Sequence, residues 1–125
     1  MTPPPPCGKG WDAPAGYDAG RKLARDPGVT AILCGNDDLA LGVLRALHQA
    51  GRTVPGDVSV IGFDDALHSG FVTPTLTMVR MDFQGLGRAA FDLLRAQLES
   101  DYQPPEPTLV GPDLIKRESS GTRTV

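Results

Sequence analysis

GNDDLALGVLRALHQAGRTVPGDVSVIGFDD, residues 35–65, holds the pattern that decides the fold. Its first part predicts a helix, because Asn36 is a good N-cap and Gly51 supplies a left-handed stop at the other end. The apolar positions of this helix have the spacing of a helix that lies on a sheet: Ala40, Val43, Leu44 and Leu47. Apolar runs of strand length flank it, at residues 29–34 and 58–63. This order of strand, helix and strand predicts a parallel sheet covered by helices on both faces.

The segment before residue 29 predicts a helix within residues 12–28, which Asp12 caps and which Asp26, Pro27 and Gly28 stop. Its core-facing side chains would be Tyr17, Leu23 and Ala24. After residue 63 the pattern is less regular. It predicts a loop over 64–75, a strand over 76–81, a helix over 83–99 capped by Asp82, a proline-stiffened turn over 101–107, and short edge strands at 108–110 and 113–119.

The composition indicates one modest domain with a single core. The 125 residues carry a formal net charge of −3, which argues against binding of this chain to the phosphate backbone of a nucleic acid. No run of about 18 apolar residues and no signal-peptide pattern occurs, so a cytoplasmic location without a membrane partner is expected. Residues 1–10, rich in Pro and Gly, are expected to form a disordered arm. Cys34 is expected to be a buried small hydrophobe rather than a disulfide partner of Cys7.

Polar side chains follow both flanking strands at the point where each strand ends. Asn36 and Asp37 follow the first strand, and Asp64 and Asp65 follow the second. The carboxyl ends of parallel strands share one edge of the sheet, which is the usual ligand side of such a fold. Trp11, in the loop before the first helix, can reach the same edge. An indole that stacks, with an amide and a carboxylate that bond hydroxyls, suits a sugar or polyol, although a purine or another small polar molecule could use the same set.

Each of these residues also has a plain structural interpretation. Asn36 and Asp37 would then only cap their helix, and one of Asp64 and Asp65 would bond backbone amides of its own turn. Trp11 would only cover the edge of the core. Between the two aspartates, Asp64 is the predicted ligand contact and Asp65 the residue that serves the turn.

An enzymatic interpretation has less support in the sequence. Adjacent residues at a strand end point in different directions, so Asp64 and Asp65 are not expected to share a proton. Neither a Ser/His/Asp set nor a phosphate-cradling loop occurs, and the histidines and cysteines lack metal-ligand spacing. We therefore expect no catalytic residues, no metal and no cofactor.

Leu41 falls about 100° away from the apolar stripe of its helix. It is either a tolerated surface leucine or part of a surface that binds a partner, which Phe71 and Val72 could complete.

Residues 35–65, followed by TPTLTMVRMDFQGLGRAAFDLL and the closing LIKRESS, resemble the effector-binding domain of the LacI/GalR family of bacterial transcription regulators. The resemblance runs from about Trp11 to Ser120. It implies an α/β fold with a parallel sheet flanked by helices, of the periplasmic-binding-protein-like type I, in which two subdomains close on a small molecule. By position, Asp64, Asn36 and Trp11 match effector-binding residues of the family. Leu41, Phe71 and Val72 match its dimer face.

The resemblance also implies a division of the chain. Residues 11–125 would be a partial effector-binding domain, with 11–80 and 108–125 in the carboxy-terminal subdomain and 81–107 belonging to an amino-terminal subdomain that is missing. The family's helix-turn-helix is missing as well, and residues 1–10 resemble nothing in the family. A truncated regulator of this kind would sense a small-molecule effector and dimerise, and would reach DNA only through the missing helix-turn-helix.

The predicted helix over 83–99 would then have lost the sheet on which it packs in relatives. Its apolar stripe is too large to stay in water: Phe83, Leu86, Ala90, Leu93, Leu94 and Leu98. We expect this helix to fold back on its own chain, to swap into a second copy, or to make the chain associate, so that the protein is a homodimer or a domain-swapped oligomer. The alternative function, on the same fold, is a sugar-binding protein of a transport system.

Overall fold

The computed structural model describes residues 5–99 and 109–122, and at its centre is a four-stranded sheet. The strands lie in the order β1 (Ala31–Leu33), β2 (Ser59–Asp64), β3 (Thr77–Arg80) and β4 (Asp113–Ile115). The first three are parallel, and β4 runs antiparallel to β3. The predicted parallel sheet is confirmed for three strands, whereas the edge strand expected over 113–119 covers only its first three residues.

Within the described residues, three α-helices accompany the sheet: α1 (Ala13–Leu23), α2 (Asp37–Gln49) and α3 (Phe83–Leu98). The predicted caps are confirmed, because the side chains of Asp12, Asn36 and Asp82 each accept a hydrogen bond from a backbone N–H of the first turn. A short 3₁₀ helix, Leu67–Gly70, interrupts the predicted loop. In the part of the chain that the structure describes, no helix is long and apolar enough to cross a membrane.

Two sequence predictions fall wholly or partly on residues that the structure does not describe. The turn over 101–107 and Thr108, the first residue of a predicted edge strand, lie outside the described residues. The other two residues of that strand, Leu109 and Val110, have no strand structure.

The core lies between α2 and one face of the sheet. The strands contribute buried side chains at alternate positions, among them Ile32, Val60 and Met78. From α2, Ala40, Val43 and Leu47 pack against them, while Leu44 is half-buried. Each fully buried Leu, Val or Met side chain contributes about 1.5–3 kcal/mol. This packing fixes α2 across β1 and β2 and therefore fixes where α2 begins.

α1 packs on α2 rather than on the sheet, and it does so through backbone contact. A Cβ added to Gly42 would lie 2.0 Å from the carbonyl oxygen of Ala13, and one added to Gly16 would lie 2.2 Å from that of Leu39. The prediction that Tyr17, Leu23 and Ala24 face the core was therefore wrong in part. Leu23 and Ala24 pack at the core's margin, but the buried residues of α1 are Gly16, Ala19 and Gly20.

The second face of the sheet is open, so the prediction of helices on both faces is wrong for the described residues. On this face Leu33 is 72% exposed and Leu114 is 66% exposed. The physical reason is that α1 stacks on α2 and both helices lie on the same side of the sheet. No residue of α3 is buried.

α3 keeps its apolar residues in solvent: Phe83, Leu86, Phe91, Leu93, Leu94 and Leu98 are all exposed. The expectation that this helix folds back on its own chain is wrong in this structure. Exchange with a second copy and association remain predictions, as does the assignment of residues 81–107 to another subdomain.

The segment after β4 joins β2 to β3 near the beginning of both strands. Ser119 is fully buried, and its hydroxyl donates to the carbonyl of Val60 while accepting from the N–H of Thr77. Its backbone N–H donates to Thr75 and its carbonyl accepts from Val60. Because every polar group of Ser119 is paired, the end of the chain is part of the sheet's framework, and Arg117 is held in a defined place.

Candidate functional site

The register of β1 and β2 brings the ends of both strands to one edge of the sheet, here called the rim. Leu33 lies opposite Ile61, and the N–H of Cys34 donates to the carbonyl of Ile61 at 2.8 Å. Asn36 follows Leu33 by three residues, and Asp64 follows Ile61 by three. The predicted arrangement of polar residues at one edge is thus present.

Asn36 connects the start of α2 with the loop that carries Trp11. Its Oδ1 accepts from the N–H of Leu39 at 2.8 Å, and its Nδ2 donates to the carbonyl oxygen of Trp11 at 2.8 Å. The side-chain amide therefore has the structural role that the sequence allowed. An amide oxygen can accept two hydrogen bonds and its nitrogen can donate two, so one of each is left for a ligand.

The indole of Trp11 lies over Gly35 at the end of β1 and is accessible from solvent. A Cβ on Gly35 would come within 2.9 Å of Cζ3 of the ring, so a larger residue at this position would displace the indole. Trp11 is 71% exposed. The rim therefore offers an uncovered aromatic surface next to the amide of Asn36, and a ligand ring could stack on it.

Asp37 is buried and fastens α2 to the turn that follows β2. Its Oδ1 accepts from the N–H of Ala66 at 3.0 Å and from the hydroxyl of Ser69, which is fully buried. The sequence suggested only a capping role for Asp37. Its partners lie 29 and 32 residues further along the chain, where no local pattern points to them.

Asp65 forms the most heavily bonded ionic group of the rim. Arg117 donates from both of its terminal nitrogens, at 2.6 Å to Oδ1 and 3.2 Å to Oδ2. Arg80 donates to Oδ2 from Nε at 2.8 Å, and one of its terminal nitrogens forms an ion pair with the same oxygen at 2.7 Å. The prediction that Asp65 bonds backbone amides of its own turn was wrong, because two arginines from other segments take its carboxylate.

These arginines also decide the charge of Asp65. The hydrogen bond from Arg117 lowers the pKa of the Asp65 carboxyl below its ordinary 3.8, and Arg80 adds to this although burial acts in the opposite direction. Asp65 is therefore ionised at neutral pH. A proton shared with Asp64 has no place in this arrangement.

Asp64 differs from its neighbours because its carboxylate is not used inside the fold. Within residues 5–99 and 109–122, no group bonds to the side chain of Asp64, which is half-buried at the end of β2. Asp37 and Asp65 are both held by protein donors, so Asp64 is the carboxylate of the strand ends that remains available to a ligand.

The residues matched to a dimer face have mixed exposure. Phe71 is 88% exposed, directly after the 3₁₀ helix. Leu41 and Val72 are half-buried and pack against the core. Leu67, which no sequence pattern points to, is 92% exposed at the start of that 3₁₀ helix.

Two other features lie apart from the chemistry of the rim. Cys34 is buried, as predicted, and burial is the main cause that raises the pKa of its thiol to about 12, so it is not a reactive thiolate.

An open groove of about 680 Å³ lies near the end of α2 and includes Arg45, His48 and Pro74. Trp11, Asn36 and Asp64 are not among the residues that line it.

Known proteins share both the sequence and the fold of this chain. A family model described as a periplasmic binding protein-like domain matches residues 2–120. The HTH-type transcriptional repressor PurR of Pectobacterium atrosepticum is 36% identical over 110 residues, which cover 87% of this chain and 32% of PurR. The chain thus spans about a third of the length of such relatives.

Solved structures agree with this assignment. A LacI family transcriptional regulator from Arthrobacter sp. FB24, in complex with lactose, has a TM-score of 0.78 and 35% identity, over 88% of this chain and 42% of that one. The dimeric Lac repressor has a TM-score of 0.82 and 31% identity, over 91% of this chain and 42% of that one. A regulator from Enterococcus faecium with bound ribose has a TM-score of 0.78 and 27% identity, over 88% and 41%.

The fold and its relatives define a periplasmic-binding-protein-like domain. The chain belongs to that family, and it is part of an effector-binding domain of the LacI/GalR type. The relatives are transcriptional repressors, and the transport alternative is not favoured. The statement that residues 1–10 resemble nothing in the family was wrong, because the match begins at residue 2.

We predict that stability in acid depends on Asp65. Its pKa is lower in the folded state than in the unfolded chain, so its stabilisation is complete above the ordinary pKa of 3.8 and is lost as pH falls through the lower, folded value. Asp65→Asn should lower the unfolding free energy at pH 7 by about 2 kcal/mol, the size of a charged hydrogen bond. This deficit should shrink towards pH 2.

Urea denaturation between pH 7 and pH 2 measures this difference. Asp38→Asn, at an exposed position in the first turn of α2, is the matched control and should follow the unsubstituted chain. A deficit for Asp65→Asn that stays constant over the whole range would contradict the assigned role of its charge.

Proposed function

We propose that this chain is the effector-sensing and dimerising part of a LacI-type transcriptional regulator, and that Trp11, Asn36 and Asp64 contact the effector. The observation that carries the proposal is the free carboxylate of Asp64 at a rim where Asp37 and Asp65 are both occupied by protein donors. The exposed ring of Trp11 and the amide of Asn36 supply the other two kinds of contact.

These three groups suit a ligand that carries hydroxyls on a ring. The indole of Trp11 packs on an apolar ring face, and a carboxylate accepts hydrogen bonds from two neighbouring hydroxyls. Relatives have been solved with lactose and with ribose. A sugar or a nucleoside-like molecule is therefore the proposed effector class.

Regulation in the proposed function works through a difference in affinity. An effector that binds the closed arrangement of two subdomains more tightly than the open one shifts the population towards the closed form. The present 125 residues supply one wall of such a cleft, and contact with DNA would come from a helix-turn-helix that they do not include. The proposed protein is cytoplasmic and not an enzyme, in keeping with its repressor relatives.

The proposed dimer face comprises Leu41, Phe71 and Val72. Phe71 supports it because a phenylalanine that is 88% exposed gains most from burial against a partner. Leu67, exposed on the adjoining 3₁₀ helix, enlarges the apolar area. The half-buried Leu41 and Val72 would form the floor of this surface.

Effector binding can be measured by NMR titration of the labelled chain with lactose, ribose and nucleosides. One wall of a cleft binds weakly, so we expect saturable shifts at the Trp11 indole and the Asn36 side-chain amide in the millimolar range with at least one of these ligands. Asp64→Asn should weaken that binding about tenfold or more, since a charged hydrogen bond contributes about 1.5–3 kcal/mol. Asp38→Asn, which changes an exposed carboxylate in the first turn of α2, should leave the affinity unchanged.

Equal affinity of Asp64→Asn and the unsubstituted chain would remove Asp64 from the site. If shifts occurred away from Trp11 and Asn36, the rim would not be the binding surface.

Self-association at the proposed dimer face can be tested separately. Phe71→Asp places a charge in the apolar surface and should weaken dimerisation at least tenfold in a sedimentation-velocity concentration series. Thr122→Asp, at an exposed position near the end of the described chain, is the control. Dimerisation as tight in Phe71→Asp as in the control would show that association uses another surface.

A further inference from the structure

Two consecutive aspartates at the rim have a backbone conformation that is rare for side-chain-bearing residues. Asp64 has a φ of 92° and Asp65 a φ of 64°. Such conformations cost on the order of 1 kcal/mol or more each and persist only where the surroundings enforce them. Some contact of the fold must therefore hold residues 64 and 65 in place.

The contacts that can enforce this backbone conformation act directly on Asp65 and on Ala66, the residue after it. The side chain of Asp65 is 4% exposed and accepts three hydrogen bonds, two from Arg117 and one from Arg80. On the next residue, the N–H of Ala66 donates to Asp37. Asp64, the last residue of β2, is thus followed directly by a residue whose side chain and following amide are both fixed.

The two arginines are themselves held by the framework. Arg117 also donates to the carbonyl of Leu76 at 2.7 Å, and its backbone N–H donates to the hydroxyl of Thr77. Arg80 is the last residue of β3 and pairs in register with Asp64. The forked guanidinium of Arg117 fixes both oxygens of Asp65, which a single-point ammonium could not do equally well.

We propose that Asp65 is a positioning residue: its bonds to Arg117 and Arg80 hold residues 64 and 65 in the left-handed conformation and thereby present Asp64, and not Asp65, to the effector. This inference rests on the proposed role of Asp64 as the effector contact. The pairing has a second effect, since the arginines balance the charge of Asp65 beside Asp64. The rim then offers one free carboxylate rather than two that repel each other.

NMR of the labelled chain without ligand tests the conformation. The Cα and Cβ shifts and the HN–Hα coupling of Asp64 report its backbone angle. Asp65→Asn should move these signals towards those of an extended residue, and Arg117→Lys should move them in the same direction by a smaller amount. Arg88→Lys, at an exposed position of α3, should not move them.

Folded Asp65→Asn and Arg117→Lys variants with unchanged Asp64 signals would overturn the proposal. Should Asp65→Asn fail to fold, the Asp64 signals of Arg117→Lys and Arg80→Gln test the proposal instead. Each of these variants leaves the other arginine bonded to the Asp65 carboxylate. A role limited to stability would lower the unfolding free energy of these variants without changing the Asp64 signals.

Titration of the same variants with lactose and ribose separates this inference from the proposed function. Positioning predicts that Asp65→Asn weakens binding about tenfold, as Asp64→Asn does. If Asp64→Asn weakens binding but Asp65→Asn changes neither affinity nor the Asp64 signals, positioning is refuted and the effector role stands. If Asp65→Asn moves the Asp64 signals but neither variant alters affinity, Asp64 is positioned as inferred and the effector role is refuted.

Discussion

Parallel pairing of β1 with β2 under the crossover helix α2 is the constraint on which the rest of the structure depends. Pairing Leu33 with Ile61 places Asn36 and Asp64 at one edge, since each comes three residues after its member of this pair. The packing of α2 on Val60 and Ile32 fixes the same arrangement from one face of the sheet. The rim, its amide and its carboxylates all follow from this one register.

At that rim, three aspartates have three different roles because their surroundings differ. Asp37 is buried against Ser69 and the N–H of Ala66 and holds the loop after β2. The ionised carboxylate of Asp65 has its charge balanced by the guanidinium groups of Arg117 and Arg80. Asp64 has no bond to its side chain from the described part of the chain. A carboxylate that the fold does not use, beside an exposed indole, is what a ligand with hydroxyls would need.

The sequence predicted the elements that depend on local pattern and failed where distant residues decide. Asn36, Asp12 and Asp82 could be identified as caps because capping involves neighbours three residues away. The face of α1 could not be identified, because its closest contacts are made by glycines that carry no apolar signal. The partners of Asp65 are 15 and 52 residues away, so its role could not be predicted from its neighbours in the sequence. The role of Asp64 as a ligand contact stays a prediction. The open second face was missed as well, since the usual two-sided cover of a parallel sheet was assumed.

In the proposed function Asp64 contacts the effector, while Asp65 holds the backbone of Asp64 in place. A crystal structure of the protein with a bound sugar tests this most directly through the distances around these two residues. We expect an Asp64 carboxylate oxygen at about 2.5–3.0 Å from a ligand hydroxyl, with Asp65 still bonded to Arg117. A bound sugar that leaves Asp64 in solvent, or that takes its hydrogen bonds from Asp65, would contradict it.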